Sequence, residues 1–213
     1  MNIDELIFNP SNHEYTWGDE KVPSVTTLIS ILAPNPYSKV PKRVLDKAAE
    51  YGNRVHEAIE NHALGKVQDE VEGFAGIALR RYQKLEQDHD IVITSCEQRL
   101  LYFDNERPLY AGTYDMLGSI KGKISLIDIK TTAEYHTDML KYQLCMYKAA
   151  LEQMNHFAID KCYCLWLPKK GLGKLLEVEV PDINVILPLV RTASGHFNEE
   201  PCEGQSEIQH IGE

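Results

Sequence analysis

Two acids and an amine stand out by their types and spacing. Asp115 closes the run Gly112-Thr113-Tyr114-Asp115, and Asp128 and Lys130 end the apolar run Ser125-Leu126-Ile127-Asp128-Ile129-Lys130. Between them, β-rich residues flank Lys121-Gly122-Lys123, a hairpin signal. With Lys121 and Gly122 as the two turn residues, Asp115 falls directly opposite Asp128, about 5 Å away on one face. Lys130, two residues further on, shares that face; a longer turn would shift the pairing. Carboxylates that close repel each other, and a divalent cation removes the conflict. Oxygen ligands with room for water suit Mg²⁺ or Mn²⁺ rather than zinc. Such an ion acidifies a bound water and polarises a phosphoryl oxygen. Lys130 can orient or help deprotonate the water and offset charge on the phosphate. Asp115, Asp128 and Lys130 are thus the candidate catalytic set for phosphodiester hydrolysis. An Asp-x-Lys triplet alone is common, and Asp115 can equally be an exposed strand residue. Context favours chemistry, because a carboxylate and an amine at the end of an apolar strand are costly unless each has a partner.

The elements that must hold this hairpin follow from periodicity and punctuation. Residues 13–17 read as a strand, with a turn at Gly18-Asp19-Glu20. Ser24 suits the N-cap of a helix over 25–32. Pro34, Pro36 and Pro41 mark a loop, and Pro41 opens a helix running to about Tyr51. Gly52 separates it from a second helix over 53–64, and a third covers 70–88. Strands follow at 91–103, 109–120 and 124–130, then a helix at 137–154 and a hairpin of 161–167 with 175–180. A last helix covers 183–194. The order predicts an α/β (α+β) fold with a small mixed central sheet flanked by helices and an N-terminal helical region. Residues 1–195 read as a single domain, with 1–90 as its hairpin and helical part and 91–182 as sheet and helix; 196–213 reads as an acidic, disordered tail.

Five motifs in this order resemble the PD-(D/E)XK nuclease superfamily, in its RecB-like and phage-type exonuclease branch. They are His13-Glu14-Tyr15 with Pro23-Ser24-Val25-Thr26-Thr27, Gly52-Asn53-Arg54-Val55-His56-Glu57, Gly112-Thr113-Tyr114-Asp115, Asp128-Ile129-Lys130-Thr131 and Gln143-Leu144-Cys145-Met146-Tyr147. The likeness covers roughly residues 13–180. It implies a restriction-endonuclease-like core. It also implies metal ligation by His56, Asp115, Asp128 and the Ile129 carbonyl, with Lys130 as the catalytic lysine. Gln143 and Tyr147, at i and i+4 on one helix face, would sit beside the site. Glu97 would be an auxiliary acid, and Glu60, on the helix face of His56, would orient its ring.

Each of these has a plainer reading. A helical histidine beside Val55 and Ile59 is usually a packing or surface residue. Gln143 and Tyr147 can simply pack with Leu140, Leu144 and Leu151. The turn Lys169-Lys170-Gly171-Leu172-Gly173-Lys174 lacks the ending of a phosphate loop and reads as a solvated tip rather than a DNA contact. Arg80, Arg81 and Lys84 read as a charged helix face.

Composition narrows the function classes. The 213 residues carry a formal charge of −10, unhelpful for binding phosphates, although five glutamates in 196–213 supply half of that excess. Basic clusters remain at 39–43, 80–84 and 169–174. The five cysteines (Cys96, Cys145, Cys162, Cys164, Cys202) show no CxxC spacing, which argues against disulfides, zinc and an iron–sulfur cluster and for reduced, mostly buried thiols. With no basic leader and no membrane-length apolar run, a cytoplasmic protein without membrane contact is expected. The resulting expectation is a Mg²⁺- or Mn²⁺-dependent deoxyribonuclease, more an exonuclease than an endonuclease. DNA would be its substrate, in phage, recombination or repair processing alongside a recombination or single-strand-binding partner. Two alternatives stay open: an inactive nuclease-fold subunit, and an acidic module that binds or inhibits a basic protein.

Overall fold

The computed structural model describes residues 3–33, 36–67, 70–134 and 136–199. After a short 3-10 turn, Ile3–Glu5, the strands β1 (Leu6–Asn9), β2 (Glu14–Trp17) and β3 (Glu20–Val22) form a small antiparallel sheet in chain order. Helix α1 (Val25–Leu32) begins at Ser24, whose hydroxyl accepts from the Thr27 N–H at 3.0 Å, as a serine N-cap should. Then come α2 (Lys42–Ala63), α3 (Gly73–His89), β4 (Ile91–Asp104), β5 (Arg107–Ile120), β6 (Lys123–Lys130), α4 (Thr137–Asn155), β7 (Lys161–Trp166), β8 (Lys174–Glu177) and α5 (Ile183–Glu199).

β4 to β8 form one sheet in chain order. All neighbours are antiparallel except β6 and β7, which run parallel and are joined by α4, the kind of crossover a parallel pair requires. The expected mixed α/β architecture is what the chain forms. One core cluster packs α1, α4 and α5 on one face of the sheet through Leu100, Tyr110, Leu126 and Cys164. A second packs α2 and α3 on the other face through Met116, Ile127, Ile129 and Leu165. The small N-terminal sheet covers Leu101, Phe103 and Ala111.

The β5–β6 register follows the expected turn. Lys121 and Gly122 both have positive φ, 50° and 75°, as a two-residue type I′ turn demands, and Met116 pairs with Ile127. Beyond Met116 the two strands part, and β5 is met instead by the segment leading into α1, where the Ala111 N–H donates to the Pro23 carbonyl at 3.0 Å. β4 is an edge strand that α4 caps: the Gln153 amide bonds both the N–H and the C=O of Phe103, at 2.8 and 2.9 Å.

Two expectations need correction. The break at Gly52 does not exist: α2 is one helix of 22 residues. A glycine inside a helix costs about 1 kcal/mol relative to alanine, and here it brings α2 against Thr131, the residue that follows β6, since a Cβ on Gly52 would lie 3.3 Å from the Thr131 hydroxyl. The last helix also extends past 194 to Glu199, into the stretch read as tail; residues 200–213, including Cys202, lie outside the described residues. Among the described residues, no helix is long and apolar enough to cross a membrane.

Candidate metal centre and active site

The site forms where the sheet changes facing. Along a regular strand, side chains two apart share a face. Yet Leu100 and Tyr114 belong to the core under α4, while Cys96 and Met116, each an even number of residues away, belong to the core under α2 and α3. Both strands therefore reverse between these positions. Cys96 pairs with Met116 and Gln98 with Tyr114, and the rung between them holds Glu97 and Asp115. Glu97 has φ 50°, a left-handed conformation that costs a non-glycine residue roughly 1–2 kcal/mol. Strain of this kind tends to collect at functional positions.

The reversal aims both acids at α2. His56 Nδ1 lies 3.6 Å from Glu97 Oε1 and 3.7 Å from Asp115 Oδ1. One ligand atom from each of the three residues falls within 4.8 Å of the others. Ligands held about 2.0–2.6 Å from one hard cation sit at most about 5 Å apart, so the spacing fits a shared ion. One nitrogen and two carboxylate oxygens form a donor set for a divalent cation. The other Asp115 oxygen accepts from the Ile129 N–H at 2.6 Å, locking the carboxylate. The cluster borders a cavity of about 440 Å³ whose wall also includes Tyr15, Asn53, Glu60 and Thr113.

Asp128 stands outside this three-residue cluster. It is 2% exposed, and its Oδ2 lies 2.7 Å from Lys130 Nζ. That contact is an ion pair at an angle that leaves both carboxylate oxygens without an aligned hydrogen-bond donor. Burial pushes the Asp128 carboxyl up; Lys130 opposes and Asp115 assists, leaving it at about 6. Burial works against the Lys130 charge, but Asp128 and Asp115 outweigh it and raise its pKa, so the amine is held as ammonium. For His56, burial likewise favours the neutral ring, and Asp115, Glu97 and Asp128 overcome that to lift it to about 9. Two carboxylates facing a histidine, beside a buried acid with no aligned donor, form a site with negative charge to spare, which a divalent cation would offset.

Lys130 Nζ also donates to Gln143 Oε1 at 3.0 Å, and Gln143 Nε2 donates to the Tyr147 hydroxyl at 3.3 Å. The i, i+4 pair on α4 thus extends a polar chain from the lysine into the core. Gly112 makes room for it, since a Cβ there would come within 2.7 Å of the Tyr147 ring. Glu60 borders the cavity but pairs with Lys66 at 2.7 Å; Glu97 and Asp115 face the His56 Nδ1 instead. At Ile129 the contact to the acids is made by the N–H. The four described cysteines are free and buried, and burial pushes Cys145, Cys162 and Cys164 up to about 12, which keeps them as unreactive thiols.

The sequence reading gave Glu97 an auxiliary place, and the structure puts it in the cluster itself. It missed the bond from the Tyr15 hydroxyl to Thr113 Oγ1, 2.8 Å, which pins the N-terminal sheet to the site strand. The tyrosine in His13-Glu14-Tyr15 was the available signal.

No family model matches the chain, and no curated protein matches it. Among solved structures the chain is similar to the protein SSO0001, with 18% identity, a TM-score of 0.39 and 59% of each chain covered. It is similar also to a protein of Eubacterium rectale assigned as an exonuclease, with 10% identity, a TM-score of 0.46 and coverage of 70% of this chain and 65% of that one. An alkaline exonuclease from Laribacter hongkongensis shows 10% identity, a TM-score of 0.42 and coverage of 82% and 84%. The chain spans less than two thirds of the first two of these proteins.

Proposed function

We propose that this chain is a divalent-metal-dependent deoxyribonuclease of the PD-(D/E)XK kind, acting as an exonuclease in DNA processing. The observation that carries the reading is the convergence of His56, Glu97 and Asp115 within 4.8 Å, beside the buried Asp128–Lys130 pair. His56, Glu97 and Asp115 would hold Mg²⁺ or Mn²⁺, with Asp128 and the Ile129 carbonyl available as further ligands. The bound ion supplies an acidified water and polarisation of the scissile phosphate.

The protein's own residues do the rest. Asp115, fixed by the Ile129 N–H, keeps its free oxygen directed at His56 without rearrangement. Lys130, held as an ammonium, offsets charge developing on the phosphate and can orient the attacking water; its raised pKa disfavours a role as base. Gln143 keeps the ammonium in place, and Tyr147 keeps Gln143 in place. The intact pair Asp128–Lys130 favours an active enzyme over an inactive nuclease-fold subunit.

The test is to incubate end-labelled single- and double-stranded DNA with the wild type, Asp128→Ala and Lys130→Ala, in Mg²⁺, in Mn²⁺ and in chelator. Metal-dependent release of labelled mononucleotides by the wild type alone is expected. Equal behaviour of all three proteins would overturn the reading.

A further inference from the structure

A second cavity, of about 480 Å³, lies beside another face of α2. Lys47, Tyr51 and Arg54 of α2 line it, together with Phe74 at the start of α3 and Lys169 on the connection after β7. Positions 47, 51 and 54 are spaced i, i+4, i+7 and project from one helix face. Phe74 is 50% exposed, while Ala75, Ala78 and Leu79 of the same helix are buried. Lys169 Nζ sits over two rings at once, 4.6 Å from the Phe74 centroid and 5.3 Å from that of Tyr51. Among the described residues, Lys47, Arg54 and Lys169 form no ion pair with a carboxylate. The Tyr51 hydroxyl is buried and, among the described residues, has no hydrogen-bond partner. Glu50 and Glu72 also border the cavity, leaving its lining with one more cation than anion in a chain of net charge −10.

The cavity lies on a different face of α2 from the candidate metal centre. Arg54 follows Asn53 in the chain, and Asn53 and His56 line the first cavity. Gly52, between Tyr51 and Asn53, abuts Thr131, the residue after Lys130. Lys169 comes shortly after Trp166, the parallel-ladder partner of Lys130. The two cavities thus share α2 as a common wall.

We infer that the second cavity is a strand-binding subsite for single-stranded DNA. It takes one nucleotide, with its base on Phe74 and its backbone phosphate between Lys47, Arg54 and Lys169. The inference rests on the nuclease reading for its substrate. An exposed ring is the platform on which any base can stack, because every base has a π-face. Cations without a carboxylate partner supply the phosphate contacts, and the cavity is of nucleotide size. Glu50 and Glu72 resist a bare polyphosphate, which selects for a ligand that brings an aromatic base as well as charge.

The experiment measures fluorescence anisotropy of a labelled oligothymidylate in chelator, against the wild type, Phe74→Ala, Arg54→Gln and Lys169→Gln. Thermal melts check that each variant folds. Hydrolysis of bis(p-nitrophenyl) phosphate with Mn²⁺, a diester too small to span both cavities, reads the metal centre separately. The expected result is about tenfold weaker binding for Phe74→Ala. Each charge variant should show a shallower dependence of affinity on salt, by about 0.7 in the log–log slope. Small-diester hydrolysis should stay as in the wild type. Variants that bind the oligonucleotide as the wild type does, or a wild type that does not bind it, would overturn the subsite. Loss of oligonucleotide binding in the variants of a protein that hydrolyses neither substrate would overturn the nuclease reading and leave the subsite standing.

Discussion

Glu97 and Asp115 occupy facing positions on β4 and β5, at the rung where both strands reverse, and each presents a carboxylate oxygen to the same His56 nitrogen. The reversal converts side chains that a regular ladder would commit to one packed face into a pair of carboxylates at a cavity wall. Its cost is local, in the left-handed backbone of Glu97.

That cost can be measured. Glycine adopts φ 50° freely, whereas alanine does not. Glu97→Gly should be more stable than Glu97→Ala by about 1 kcal/mol in urea denaturation without metal. Both variants should lose metal affinity alike. Equal stability of the two would mean that the backbone at this position is not strained.

The pH dependence of the metal-free protein has a definite sign. The His56 pKa is raised in the fold from 6.5 to about 9. A raised cationic group stabilises the fold fully below its unfolded pKa, and that contribution disappears as pH climbs through the folded value. In chelator the melting temperature should therefore fall between about pH 6.5 and pH 9, and His56→Gln should flatten that fall. Saturating Mg²⁺ should oppose it, because a cation binds the unprotonated ring. A wild-type profile that is flat in chelator would count against the cluster's electrostatics.

Asp128 and Lys130 should behave as one unit. Removing the amine by Lys130→Met leaves a buried carboxylate without its counter-charge, a loss of about 3–5 kcal/mol by analogy with other buried pairs. Adding Asp128→Asn to that variant should restore most of the stability, with no recovery of activity. Additive losses in the double variant, read by urea titration, would show that the pair is not coupled.

Gly112 should resist substitution for reasons of space. A Cβ there meets the buried Tyr147 ring at 2.7 Å, so Gly112→Ala should cost about 1–3 kcal/mol. By displacing Tyr147 from Gln143 it should also lower turnover more than substrate affinity. Wild-type melting temperature and kcat in Gly112→Ala would remove the tyrosine from the positioning chain.

Much of this arrangement was legible because local chemistry decided it. Lys121-Gly122 admits a tight turn, the tight turn sets the register, and the register puts Asp115 and Asp128 at the matching positions just beyond the last β5–β6 pair, Met116 with Ile127. Ser24 marked the start of α1 for the same reason. Gly52 misled, because a glycine that ends a helix and one that permits close packing look alike until the neighbour, Thr131, is known. Glu97 was underrated because no residue pattern announces a left-handed glutamate inside a strand; only the two cores on opposite faces require it. The N-terminal sheet was read as one strand and a turn, since β1 is four residues long and gains its partner only through β2.

The Gln153 amide that closes on Phe103 has a consequence for how this protein can meet others. By holding both polar groups of Phe103 on the outer margin of β4, it occupies backbone positions that a foreign strand would need in order to extend the sheet. A strand added beside Phe103 would first have to displace that one side chain.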